Sequence, residues 1–225
     1  MCLLKEHKTL DAGALRHTGQ TMKQLLLTGY EPFDNYSVNP SGELAKTLDG
    51  KRLGSYLVSG VVLPLDYSEI LASLQEALNK GSPSIVLCCG QADRGSITLE
   101  RLAVNAMSTT RADNKGRLPD SDLIVPDGPA AYFSSIDPHP LVKRLQEEGI
   151  PALVSYHAGT YGCNWLLYNV LHMINQRRLD ARATFMHVPP LPSQAIEKNN
   201  MALPTMPLDT VVRALRTIVP LLPKS

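Results

Sequence analysis

Ala152-Leu153-Val154-Ser155-Tyr156, followed by His157-Ala158-Gly159-Thr160-Tyr161-Gly162-Cys163-Asn164-Trp165, sets the fold of the chain. The first five residues are an apolar run of strand length, and Gly159 and Gly162 mark a turn after it. From Cys163 the pattern changes. Leu167, Val170, Leu171 and Ile174 fall at i, i+3, i+4 and i+7, one face of an α-helix. Cys163 is therefore expected where a strand hands over to a helix N-terminus. Unpaired backbone N–H groups there favour an anion, lower a thiol pKa and can hold the oxyanion formed when a carbonyl is attacked. Most free cysteines are instead small, inert and buried, and the residues alone leave both readings open.

The same alternation extends in both directions. Leu25 to Gly29, Tyr56 to Leu65, Ser84 to Cys89 and Ala183 to Val188 read as buried strands. Between them lie helical patterns: one opened by Asn39-Pro40-Ser41 and running to Leu48, one over Tyr67 to Asn79 capped by Asp66, and one over Pro140 to Glu148. A last helix is expected over Leu208 to Leu222. Gly90 to Gly95 reads as a turn, Ile97 to Ala106 as an extended segment, and Asp113 to Pro129, rich in Gly, Pro and Asp, as a surface excursion. Strands alternating with helices predict an α/β fold: three layers, α/β/α, around a twisted and mostly parallel sheet in a single domain. In such sheets functional residues collect beyond the carboxyl ends of strands, a rule that groups Tyr30, Phe33, Gln91, Cys163 and His187.

Composition narrows the class. At 225 residues, 44 % hydrophobic and 19 % charged, the chain has one substantial core. A formal net charge of +1 supplies no basic field for nucleic acid or acidic membranes, and no apolar run reaches the length of a membrane span. Met1 to Thr21 has no period and reads as a poorly ordered extension to a domain over 22–225. It lacks the apolar centre of a secretory signal. Four cysteines, two of them the adjacent Cys88 and Cys89, make no disulfide framework for this length, which fits a reducing, cytoplasmic setting. There is no Cys-x-x-Cys or His-x-x-x-His, so no metal is expected.

Four motifs then spell a family. Thr28-Gly29-Tyr30-Glu31-Pro32-Phe33 resembles the Thr-Gly-Phe-Glu-Pro-Phe opening of the pyroglutamyl peptidase I family. Gly90-Gln91-Ala92 with Ile97-Thr98-Leu99-Glu100-Arg101-Leu102-Ala103-Val104-Asn105 is similar to its second motif, and Ala158-Gly159-Thr160-Tyr161-Gly162-Cys163-Asn164 to its nucleophile box. Met186-His187-Val188-Pro189 with Leu191-Pro192 matches the fourth. The resemblance runs from Met22 to the C-terminus.

It implies a cysteine peptidase, without cofactor, that removes N-terminal pyroglutamyl residues from small peptides. Cys163 would be the nucleophile, His187 the general base and Glu100 the carboxylate that orients the imidazole. Tyr30, Phe33, Gln91, Tyr161 and Gly162 would surround the substrate ring, Arg111 would lie near the oxyanion, and the assembly would be a homo-oligomer, a tetramer. Chemistry agrees with these roles: a Cys–His pair raises thiolate content and returns a proton to the leaving amine, while a carboxylate fixes the imidazole tautomer. The lactam ring is flat and neutral, so aromatic faces can sandwich it and a buried donor–acceptor pair can read its N–H and C=O. His157 is an alternative base close to Cys163 in sequence; His172 lies inside the predicted helix and reads as packed or surface. Other readings are a thiol amidohydrolase for another small amide and a binding protein that has lost turnover.

The chain departs from the family pattern at a few places. Asp93-Arg94-Gly95 stands where Gly-Gly-Arg is usual, and the interval from Gln91 to Glu100 is one residue shorter, which is expected to bear on the lactam contacts of Gln91. Gly162 replaces Val, and Tyr30 and Tyr161 replace Phe.

Overall fold

The computed structural model describes residues 22–107 and 110–223; the expectation for Met1 to Thr21 lies outside the described residues. Nine strands and six helices follow one another as β1 (Lys23–Tyr30), α1 (Pro40–Leu48), β2 (Arg52–Leu53), β3 (Tyr56–Leu63), α2 (Ile70–Gly81), β4 (Ile85–Gln91), β5 (Ile97–Glu100), β6 (Leu102–Val104), β7 (Ala131–Phe133), α3 (Pro138–Glu147), β8 (Ala152–Ser155), α4 (Gly162–Arg177), β9 (Arg182–Val188), α5 (Pro192–Glu197) and α6 (Leu208–Ile218) among the described residues. Seven strands form one sheet in the order β2-β3-β1-β4-β9-β5-β8, and β6 pairs with β7 in a small ribbon. None of these helices is long and apolar enough to cross a membrane.

Strand parity builds the three layers. On β1, Leu25 and Leu27 pack with Leu44 and Leu48 of α1 and with the α3 and α6 residues Leu145 and Leu215. Leu26, on the opposite pleat, joins Ile70 and Leu74 of α2 and Leu166 and Val170 of α4. Ile85, Leu87 and Cys89 repeat the first set and Val86 and Cys88 the second. Continuous apolar strands are what a sheet covered on both faces requires.

The parallel core is β3-β1-β4-β9, while β2 runs antiparallel to β3. β5 runs antiparallel to β9, and β8 parallel to β5, so these two strands form a reversed edge of the sheet. This corrects the grouping by carboxyl ends. The rule accounts for Tyr30, Gln91 and His187, but β8 points the other way, and residues 156–161 carry the chain back to α4. Nothing in an apolar run distinguishes a strand entering parallel from one entering antiparallel.

Other boundaries also moved. Gly90 and Gln91 belong to β4, paired with His187 and Val188 of β9, rather than to a turn. The segment Ile97 to Ala106 breaks at Arg101, where β6 leaves the main sheet for β7. α2 starts at Ile70; Asp66 Oδ1 accepts from the Ser68 N–H and hydroxyl and shapes the turn that precedes it. α3 starts at Pro138, capped by Asp137, whose side chain accepts from the His139 N–H. Between 112 and 130 there is neither helix nor strand, as the Gly, Pro and Asp content predicts.

Candidate active site

Parity and register assemble the polar centre. Phe185 packs on the α4 face, so His187, two residues on, projects to that face as well. Ile97 and Leu99 of β5 pack on the opposite face, which turns Thr98 and Glu100 toward α4. Register sets Thr98 opposite His187 and His187 opposite Gly90. Three neighbouring strands thus bring Gly90, His187 and Thr98 side by side, with Glu100 one diagonal away.

Glu100 is fully buried, and its Oε1 lies 2.8 Å from His187 Nδ1. The Thr98 hydroxyl donates to the same oxygen at 2.9 Å, and Arg94 Nη1 lies 3.5 Å away. Cys163 is the imidazole's other interacting neighbour, acting on it through charge and hydrogen bonding. Burial by itself would lower the His187 pKa, but the charge and hydrogen bond of Cys163, then those of Glu100, outweigh it and push the imidazole up to about 9. Burial raises Glu100; the hydrogen bond and charge of His187, with further hydrogen bonds from Ser155 and Thr98, overcome it and hold the carboxyl below its ordinary value. Cys163, His187 and Glu100 stand in the order that a nucleophile, a base and an orienting carboxylate require.

Cys163 is the second residue of α4 and partly exposed. Buried Asn164 fixes that first turn: its Oδ1 accepts from Val104 N–H at 2.9 Å, and its Nδ2 donates to the carbonyls of Val104 at 2.9 Å and Ala106 at 3.2 Å. The thiol lies directly over β4. A Cβ on Gly90 would come within 2.7 Å of Cys163 Sγ and 2.9 Å of Phe185 Cζ, so only glycine leaves the sulfur its place. Cys88 and Cys89 differ completely: burial pushes Cys88 up to about 12 and Cys89 well above its ordinary value, and both are inert core residues.

Beside the thiol a small pocket is lined by Tyr30, Phe33, Asn39, Leu65, Gln91, Arg111, Tyr161 and Gly162. All five residues expected around a ring are there, and so is Arg111. The Arg111 guanidinium lies 5.5 Å from the Phe33 ring centre and 5.2 Å from that of Tyr161, with Asp34 Oδ2 at 3.4 Å. It stands at the pocket mouth. The Tyr30 hydroxyl donates to the Gly162 carbonyl at 2.8 Å, and that of Tyr161 to the Ala112 carbonyl at 2.7 Å. The substitutions at Tyr30 and Gly162 are coupled: a side chain at 162 would begin 2.8 Å from Leu65 Cδ1 and 3.7 Å from the Tyr30 oxygen. A larger open groove lined by Tyr67, Met107, Arg117 and Trp165 holds none of Cys163, His187 or Glu100. Among the described residues no three His, Cys, Asp or Glu side chains are grouped as a metal site would need.

The alternative bases are elsewhere. His157 is exposed. His172 stacks 6.0 Å from Tyr168 and meets the Tyr132 hydroxyl at 2.9 Å. Sequence reasoning gives no site role to Thr98, Arg94, Asn164 or Gln194. Thr98 was recoverable from its two-residue spacing to Glu100. Gln194, fully buried and bonded to Gln91, carried no signal. The shortened loop leaves Gln91 in place, because Gln91 is held by β9 and Ala92 N–H donates to the Val188 carbonyl at 3.1 Å.

A model of the pyroglutamyl peptidase family matches residues 23–222. A pyrrolidone-carboxylate peptidase of Bacillus subtilis is 41 % identical over 195 residues, 86 % of this chain and 89 % of the relative. The crystal structure of pyroglutamyl peptidase I from Bacillus amyloliquefaciens superposes with a TM-score of 0.83 at 38 % identity, covering 88 % of this chain and 94 % of that one. The pyrrolidone carboxyl peptidase of Thermococcus litoralis superposes with a TM-score of 0.84 at 36 % identity, covering 88 % and 92 %.

Proposed function

This chain belongs to the pyroglutamyl peptidase family, and from that premise we propose that it removes the N-terminal pyroglutamyl residue of peptides by cysteine catalysis. The Cys163 thiolate attacks the pyroglutamyl carbonyl carbon, and the first-turn N–H groups of α4 face the oxyanion that results. The His187 imidazolium gives its proton to the leaving amine as the C–N bond breaks, which leaves a thioacyl enzyme. Water then attacks the thioester carbonyl while His187 takes its proton. Pyroglutamate departs, and Cys163 and His187 return to their starting state. Glu100 holds the imidazole in one tautomer throughout and stabilises its charged form. These three side chains complete the proton bookkeeping without a cofactor.

The observation that carries this reading is the buried His187–Glu100 hydrogen bond beside Cys163, opening onto a pocket of aromatic walls that the buried Gln91 amide also lines. Phe33 and Tyr161 offer flat faces to a flat ring, and Arg111 at the mouth disfavours an N-terminus that carries an ammonium group. The same reading carries a cytoplasmic setting, where a nucleophilic thiol stays reduced, and a homo-oligomeric assembly. Pyroglutamyl and prolyl anilides with one leaving group test the activity. A pyroglutamyl preference in kcat/KM on the order of 10⁴ is expected, because a prolyl ring leaves the buried amide unpaired. A ratio near one overturns the reading.

A further inference from the structure

Gln91 and Gln194 meet behind the pocket, and backbone groups fix which way round both amides lie. Gln194 is fully buried on α5, three residues beyond Leu191. The Leu191 N–H can only donate, and it reaches Gln194 Oε1 at 2.7 Å. The Val38 carbonyl can only accept, and Gln194 Nε2 reaches it at 3.3 Å. The polarity of Gln194 is therefore set from both ends. Its Nε2 also donates to Gln91 Oε1 at 2.9 Å. That bond occupies the oxygen edge of Gln91, while the side chain lines the pocket. The edge left to the pocket is the Nε2 amino group, a donor.

We propose that Gln194 is a positioning residue that holds the Gln91 amide with its N–H edge toward the pocket, so that the pocket selects acyl rings carrying a carbonyl acceptor. The inference rests on the proposed pyroglutamyl activity and adds the residue that decides what Gln91 reads. Without Gln194, the Gln91 amide turns freely and offers oxygen as readily as nitrogen. With a carboxylate at 194, acceptor meets acceptor unless Gln91 reverses, and the pocket then shows an oxygen that repels a ring carbonyl. A neutral lactam C=O placed against Nε2 satisfies a donor buried away from water, which is where discrimination by hydrogen bonding is strongest.

The test uses two neutral inhibitors that differ only in that carbonyl: the amides of 3-oxocyclopentanecarboxylic acid and cyclopentanecarboxylic acid. Their inhibition constants are measured against pyroglutamyl anilide hydrolysis by the full chain, by Gln194→Glu and by Gln194→Met. The wild-type chain is expected to bind the ketone at least about tenfold more tightly. Gln194→Met should bring the ratio to about one, and Gln194→Glu below one. In both variants KM for the pyroglutamyl anilide rises more than kcat falls, and iodoacetamide labels Cys163 at the wild-type rate. A general loss of packing lowers both inhibitors' affinities together, so the ratio separates polarity from mere structure. If Gln194→Glu does not fold, Gln194→Met, which keeps the volume, carries the test alone. A ketone preference unchanged in the folded variants overturns the proposal. A wild-type chain that does not hydrolyse pyroglutamyl anilide overturns the proposed activity instead, and the inhibitor ratio is then read from protection of Cys163 against alkylation: a ketone preference kept in Gln194→Met sinks the positioning role, and its loss supports it.

Discussion

Glu100 and His187 hang from two paired strands, fully or nearly fully buried, and each is held by at least two polar partners. Phe33 and Arg111 stand on loops a few ångströms away, the first partly buried and the second exposed, and Tyr161 is the residue before α4. The strand-borne half fixes the proposed proton path by register: moving His187 by one residue would turn it to the other face of the sheet. The loop-borne half fixes the shape of a small cavity through side-chain hydrogen bonds, Tyr161 to the Ala112 carbonyl and Asn114 Nδ2 to Glu31 Oε1 at 2.7 Å and the Pro32 carbonyl at 3.0 Å. Chemistry needs sub-ångström placement and sits on the rigid part. Substrate entry needs give, and Phe33 and Arg111 stand on loops rather than on the sheet.

The sharpest way to break this comparison is to remove the proposed base. His187→Ala should lower kcat/KM for a pyroglutamyl anilide on the order of 10³-fold or more, since it removes both the proton acceptor and the partner of the thiolate. His157→Ala and His172→Ala should retain most activity, because one is exposed and the other is engaged with Tyr132 and Tyr168. Retention in His187→Ala with loss in a folded His157→Ala would move the base to the loop and reverse the argument.

Glu100→Gln keeps a hydrogen-bond acceptor but takes away the charge, and a smaller loss of about tenfold to a hundredfold is expected. The more informative readout is pH. The folded imidazole is raised to about 9, above the roughly 6.5 of a free side chain, so its protonated form is favoured by folding. The stability it contributes is fully present below about pH 6.5 and is lost as pH rises through about 9. Removing the Glu100 charge takes away one of the causes of that rise, so the alkaline limb of kcat/KM and the alkaline loss of stability should both move to lower pH. A limb that stays put while kcat falls would mean Glu100 acts only as a spacer.

The same division explains what could be read from the sequence. The positions of Cys163 at a helix start and His187 at a strand end are legible from apolar periodicity and glycine turns, while their roles come from the motifs. Glu100 was not legible alone: a lone carboxylate among alternating residues looks solvated, and only the motif lifted it. The reversed edge of β5 and β8 escaped because strand direction leaves no trace in hydropathy. α5 escaped because six residues after two prolines carry too little period to read as a helix. Gln194 follows from that miss, its role existing only once α5 has folded back behind β4. Arg94 was noticed as a departure in a loop, whereas the guanidinium reaches Thr98 Oγ1 at 3.0 Å and the His157 carbonyl at 3.5 Å, tying the loop to the carboxylate and to the return from β8.

The finest contrast lies between the two tyrosines that stand in place of phenylalanine. Tyr30 is buried on β1, and burial, before all else, keeps its hydroxyl protonated and donating to the Gly162 carbonyl. Tyr30→Phe leaves that carbonyl without its donor inside the protein, at a cost of about 1 kcal/mol, or about 2–4 °C in Tm for a chain of this size. Tyr161 bonds the Ala112 carbonyl in a more exposed setting, so Tyr161→Phe should cost less stability. Its effect should fall instead on KM, because Ala112 adjoins Arg111 at the pocket mouth and the segment loses one of its ties to α4. The two variants thus sort by observable: Tm for the residue on the strand, KM for the residue on the wall. Equal and opposite behaviour, with Tyr161→Phe lowering Tm by several degrees and leaving KM unchanged, would show that the wall is as rigid as the triad and that the two halves of the site do not differ in kind.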